Sequence, residues 1–175
     1  MRLSGGLLPS VTRRPVDLIE RSINSMCGIS GFFQGDQDFL EKRNFYEEIL
    51  DSMNLALRRR GPDDKGTYLS SHFGLAHVRL SIVDLVTGHQ PILKKADGRT
   101  WGIVYNGELY NTGELREELK TLGHTFETAS DTEEILCAYL EYGPDFVKKL
   151  NGIFAIAIMD QVRKKLLLFR DRAGV

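Results

Sequence analysis

The chain has 175 residues, 23 Lys+Arg against 24 Asp+Glu, and 42% hydrophobic residues. That length fits one domain, with a second only if both are small, and a net charge of -1 removes the simplest argument for a nucleic-acid or polyanion partner. No apolar stretch approaches the roughly 18–20 residues needed to span a bilayer, and two cysteines cannot make a disulfide framework, so the default setting is reducing and cytoplasmic.

Residues 1–25 carry Pro9, Pro15, Gly5, Gly6 and four arginines without clean periodicity. Leu7-Leu8 stops at Pro9, far short of a secretory h-region of about 7–15 residues. From Met26 the pattern becomes structured. Cys27-Gly-Ile-Ser-Gly-Phe-Phe33 reads as a strand whose glycines mark close backbone approach. Residues 39–58 read as an amphipathic helix with Tyr46, Ile49, Leu50, Met53, Ala56 and Leu57 on one stripe. Arg58, Arg59 and Arg60 close it at the negative end of its dipole, and Gly61-Pro62 breaks it.

Tyr68–Leu69 and Phe73–Ile82 read as two strands around Ser70-Ser71, and Gly88 to Pro91 as a loop. Trp101, Ile103 and Tyr105 alternate at strand period. Leu115, Leu119 and Leu122 mark a short helix over 112–122. Ser130-Asp131-Thr132-Glu133 has the S-x-x-E pattern of a reciprocal helix cap, opening a helix that ends at Gly143-Pro144. Residues 153–159 and 166–169 are apolar on both faces, and the polar stretch from Asp160 to Lys165 suits a hairpin between them. A doubly buried hairpin needs helices on one side and another sheet on the other. The expected class is therefore α+β, two stacked and mainly antiparallel sheets with helices outside.

No histidine pair has metal-ligand spacing and there is no C-x-x-C, so no metal is assigned. Leu3-Ser4-Gly5-Gly6-Leu7 has a Gly-rich look without the strand–loop–helix context that a nucleotide loop needs. Cys137 sits mid-helix between apolar neighbours and reads as core. Cys27 is the sharper candidate. Alone it would read as a small buried strand residue, but it follows a methionine and precedes glycine. Removal of everything before it would set a free α-amine, of pKa about 7.7–8.0, beside the thiol. One residue would then supply nucleophile and base.

From Met26 onward the chain resembles the glutaminase domain of glutamine-hydrolysing asparagine synthetases, class II glutamine amidotransferases of the N-terminal nucleophile superfamily. The resemblance is carried by Met26-Cys-Gly-Ile29, Arg60-Gly-Pro-Asp63, Ala76-His-Val-Arg-Leu-Ser-Ile-Val-Asp-Leu85, Gly88-His-Gln-Pro91, Val104-Tyr-Asn-Gly-Glu-Leu-Tyr-Asn111, Ser130-Asp-Thr-Glu133, Leu150-Asn-Gly-Ile-Phe-Ala-Ile156 and Arg170-Asp-Arg-Ala-Gly174. Amidotransferase domains of other class II enzymes share the start and the Ser-Asp-Thr-Glu block and are the alternative.

The resemblance implies a four-layer αββα sandwich and assigns roles. Cys27 would attack the side-chain amide of L-glutamine, giving a thioester and releasing ammonia. Asn106 and Gly107 would form the oxyanion hole; a plain Asn-Gly turn is the bland alternative. Arg79 would take the α-carboxylate, Asp131 and Glu108 would surround the α-ammonium, and Ile82 and Val83 would add backbone contacts. Arg60 and Asn111 would support the site. Arg59 stands where the family commonly has histidine and is read as tolerated variation.

Two departures matter. Residues 1–26 precede a nucleophile that must be N-terminal. Either Met26 is the true start, or residues 1–26 are a propeptide, or the extension stays and the domain does no glutaminase chemistry. The family's synthetase domain, which uses ATP and Mg²⁺ to amidate aspartate, is absent, so residues 27–175 read as an incomplete amidotransferase domain. Its partners would be glutamine and a synthetase domain or subunit, without nucleic acid or membrane; a homodimer is compatible with the full-length enzyme. The competing hypothesis is a non-catalytic module that binds glutamine or docks on a partner and keeps residues 1–26.

Overall fold

The structure is a computed structural model that describes residues 27–80 and 88–174. The expected contributions of Ile82 and Val83, and every reading of residues 1–26, lie outside the described residues.

Seven strands form two sheets. The first has the order β1-β3-β2, from β1 (Gly28–Phe33), β2 (Asp64–Leu69) and β3 (Phe73–Arg79). The second runs β4-β5-β6-β7, from β4 (Ile92–Ala96), β5 (Arg99–Leu109), β6 (Gly152–Asp160) and β7 (Lys165–Arg170). Every strand pair is antiparallel. Helix α1 (Arg43–Leu57) covers the outer face of the first sheet. Helices α2 (Thr112–Thr121) and α3 (Asp131–Tyr142) cover the second, with α3 against β4 and β5. The result is the expected α+β arrangement in the order helix, sheet, sheet, helix.

Strand alternation builds two cores. Phe73 and Leu75 of β3 meet Val104, Ala157 and Met159 between the sheets. The opposite faces of β5 and β6 (Trp101, Ile103, Tyr105, Ile156, Ile158) meet Leu115, Leu119, Ile135, Leu136 and Phe146. Burial of each such large apolar side chain stabilises the fold by about 1.5–3 kcal/mol. Cys137 belongs to this second core, and burial pushes its thiol up to about 11. It is inert packing, as its sequence context indicates.

Several expectations are corrected. The helix expected over 39–58 opens with a tight 3-10 turn, Phe39–Lys42, before α1. On α1 Ala56 is exposed, whereas Asn54 is buried and donates to the Gly66 carbonyl. Strand β2 starts at Asp64, well before Tyr68, because pairing with β3 recruits residues of low strand propensity. Strand β4 lies in a Lys-rich stretch whose sequence carries no strand pattern. Leu122 falls beyond α2 and is 49% exposed. The hairpin is buried on both faces only in β6; Leu168 of β7 is 71% exposed, because β7 is the edge of its sheet.

The cap of α3 is also different from its pattern. The Ser130 hydroxyl accepts from the Thr132 N–H, as an N-cap should. Glu133 does not reach back to Ser130. Its carboxylate accepts from the backbone N–H groups of Glu127 and Thr128, the Thr128 hydroxyl and Lys94 Nζ. Burial opposes its charge, but those donors outweigh burial and hold its carboxyl below the ordinary range. Glu133 thus ties the loop before α3 to β4.

Candidate active site

Several chain segments converge at one end of the sandwich, among them the residue before β1, the end of β3, the last third of β5 and the first turn of α3. They enclose a cleft of about 520 Å³. Cys27, Arg79, Asn106, Gly107, Glu108 and Asp131 all line it. Six candidates, scattered over more than 100 positions in sequence, therefore share one cavity.

Cys27 is partly buried, and its Sγ lies 3.9 Å from the Leu80 carbonyl oxygen. Arg60 does not line the cleft. Its Nε donates to the Cys27 carbonyl at 3.3 Å, fixing the backbone that carries the thiol. Asn111 is also outside. Its side chain donates to the Lys149 carbonyl and accepts from the Asn151 N–H, both at 2.9 Å, locking the end of β5 to the loop before β6.

Glycines explain how tightly this end is built. A Cβ on Gly88 would fall 2.3 Å from Nη2 and 2.5 Å from Cζ of Arg79, so the guanidinium lies flat against Gly88. A Cβ on Gly107 would meet the Ile153 carbonyl at 2.1 Å. The close approach that demands glycine there is made by β6, independently of any ligand. Gln90, 5% exposed, makes a paired contact with β5. Its Nε2 donates to the Tyr105 carbonyl at 3.1 Å and its Oε1 accepts from the Tyr105 N–H at 2.7 Å. A side chain thereby substitutes for a strand beside Asn106. The Gln90-Pro91 peptide is cis.

Asp131 is held in a poorly hydrated corner. Burial raises its carboxyl above the usual carboxylate range, against the influence of Tyr105, Thr132 and Ser130. Burial also drives the Tyr105 phenol strongly upward, reinforced by the charge of Asp131. The Tyr105 hydroxyl is close enough to interact with the Asp131 carboxyl, yet it makes no hydrogen bond of good geometry. On β3, burial lowers His77 to about 4 despite nearby Asp64, so its ring is neutral near pH 7.

Sequence reasoning missed Gly88, Gln90 and Glu134, which also line the cleft. The first two stand in the Gly88-His-Gln-Pro91 block, where a Gly and a buried amide next to Pro invited a structural question. Glu134 is three residues after Asp131 on a helix, a spacing that places both on one face. Among the described residues, no group of three or more His, Cys, Asp or Glu could hold a metal ion.

The chain is similar to several asparagine synthetases. It is 43% identical over 150 residues to asparagine synthetase [glutamine-hydrolyzing] 3 of Bacillus subtilis (strain 168), covering 86% of this chain and 24% of that protein. It is 41% identical over 150 residues to asparagine synthetase B of Escherichia coli (strain K12), covering 86% of this chain and 26% of that protein. The chain thus spans about a quarter of the length of these relatives. In fold it is similar to the glutamine phosphoribosylpyrophosphate amidotransferase of B. subtilis, with a TM-score of 0.50 at 22% identity, over 60% of this chain and 24% of that one. The same score, at 23% identity, relates it to an allosteric regulatory enzyme of purine biosynthesis, over 61% of this chain and 25% of that one. The family described as glutamine amidotransferase domain matches residues 26–175, and the chain belongs to that family.

Proposed function

We propose that this domain hydrolyses the side-chain amide of L-glutamine with Cys27 as nucleophile. The observation that carries the reading is the shared cleft, in which a thiol, an amide donor, a guanidinium and three carboxylates meet. That set matches glutamine in chemistry. A guanidinium fork suits an α-carboxylate, and carboxylates suit an α-ammonium.

In the proposed reaction, residues 1–26 are removed so that Cys27 gains a free α-amine, which takes the thiol proton. Sγ attacks the amide carbon. The Asn106 side-chain N–H and the Gly107 backbone N–H donate to the developing oxyanion. Collapse of the intermediate expels ammonia, carrying the proton back, and leaves a γ-glutamyl thioester. Water then releases glutamate and restores the thiol. Arg79 holds the α-carboxylate, and Asp131 and Glu108 face the α-ammonium. Arg60 and Asn111 act by positioning.

The ammonia would serve ATP-dependent amidation of aspartate, as the relatives' name suggests. ATP and Mg²⁺ chemistry is assigned to a synthetase portion beyond this chain, and no step above runs through either. Glutamate release from glutamine by protein beginning at Cys27, and its loss in Cys27→Ala, test the reading. Glutamine binding without turnover by that protein would instead support the binding-module hypothesis.

A further inference from the structure

The cleft holds two buried polar atoms that the reaction above does not use. Glu134 lies on α3 one turn after Asp131, and both line the cleft. Glu134 is 2% exposed. Its Oε1 accepts from Arg116 Nε at 2.6 Å, whereas its Oε2 is buried without a hydrogen-bond partner. The Tyr105 hydroxyl is the second such atom, on a side chain 3% exposed that also lines the cleft.

A buried carboxylate oxygen without a donor is costly, and such groups call for an explanation. Arg116 does not supply the donor. Its Nη1 and Nη2 donate to the Thr128 and Ser130 carbonyls at 2.9 and 3.3 Å, and its guanidinium lies 4.3 Å above the Phe126 ring. Burial, and the charges of Asp131 and Glu133, hold the Glu134 carboxyl above its ordinary range despite Arg116. A cation entering from the cleft would supply the missing donor and offset the charges of Asp131 and Glu133. A primary ammonium brings three N–H donors, enough for more than one carboxylate.

The geometry points to Glu134 as a further specificity-determining residue, whose Oε2 accepts an N–H of the substrate's α-ammonium beside Asp131 and Tyr105. The inference rests on the glutamine reading. It makes the domain discriminate against carboxamides that lack a protonated α-amine. Because Arg116 balances its charge, Glu134 can act as an acceptor in a dry corner without leaving an uncompensated anion there.

Calorimetric titration of the 175-residue chain tests this, with Cys27→Ala throughout so that glutamine is not consumed. The two probes are L-glutamine and 4-carbamoylbutanoate, which is glutamine without its α-amine. In E134Q the Oε1 acceptor for Arg116 and the side-chain volume are kept. The expected result is an about tenfold rise in Kd for L-glutamine, the size of one charge-assisted hydrogen bond, with Kd for 4-carbamoylbutanoate unchanged within twofold. Y105F is expected to weaken L-glutamine alone, by about threefold. Equal weakening of both probes, or no change for L-glutamine, overturns the inference and leaves the glutamine reading intact. If E134Q does not fold, E134D, which withdraws the carboxylate by one methylene, must give the same selective loss. Binding of neither probe, by the parent chain and by the same protein cut after folding to begin at residue 27, removes the glutamine reading and this inference together.

Discussion

Gly88→Ala tests the assignment of Arg79 without touching Arg79 itself. The added methyl would lie 2.3 Å from Nη2, 2.5 Å from Cζ and 3.0 Å from Nη1, whereas ordinary contact begins near 3.4 Å. The guanidinium must retreat by about 1 Å, more than a bidentate carboxylate pair tolerates. Gly88 has no positive φ, and the obstructing atoms are the end of a flexible side chain, so the backbone can accept alanine. Loss of a charge-assisted hydrogen bond costs about 1.5–3 kcal/mol, or roughly 10- to 100-fold in KM for glutamine. The carboxylate is remote from the reacting amide and is bound alike in ground and transition states, so kcat should hold within about twofold. The assay is glutamate release over a range of glutamine concentrations, with thermal unfolding followed in parallel. A folded variant with KM within twofold of the parent would refute the placement of the α-carboxylate on Arg79.

Two further predictions concern stability. The folded pKa of His77 is depressed to about 4 from 6.5, so the unfolded chain takes a proton first as pH falls. Stability should therefore decline from about pH 6.5 to about pH 4, by about 3 kcal/mol; denaturant titrations across that range should show this slope in the parent and not in His77→Leu. Gln90→Leu strands the N–H and carbonyl of Tyr105 and should cost about 2–4 kcal/mol. The same loosening beside Asn106 should lower kcat more than it raises KM, and an unchanged kcat would contradict the role given to Gln90.

Much of the architecture is written in periodic patterns. The alternation of Trp101, Ile103 and Tyr105 and the apolar run of β6 imply a sheet covered on both sides, which is what the two cores provide. Pattern fails where pairing decides. Strand β4 is rich in lysine and β2 begins on Asp-Lys-Gly, and both are strands because a neighbour offers hydrogen bonds. The cap at Ser130 shows another limit. Its S-x-x-E spacing is real, but Glu133 finds stronger donors in the preceding loop and Lys94. At the site, the residues that would touch substrate were legible through motif blocks. Those that shape it were not, because their effect depends on a distant partner: Gly88 on Arg79, Gln90 on Tyr105, Glu134 on Arg116. Gly107 is the instructive case, since its lack of a side chain answers to Ile153 on β6.

The central claim is that Cys27 becomes a nucleophile when its own amine is free. The direct measurement is glutamate release from L-glutamine by three proteins: the 175-residue chain, the same protein cut after folding so that it begins at Cys27, and the cut protein carrying Cys27→Ala. The account predicts turnover in the second alone, because a peptide nitrogen at Cys27 is neither basic nor cationic. Equal turnover by the uncut chain, or none from a cut protein that remains folded and binds glutamine, would contradict it.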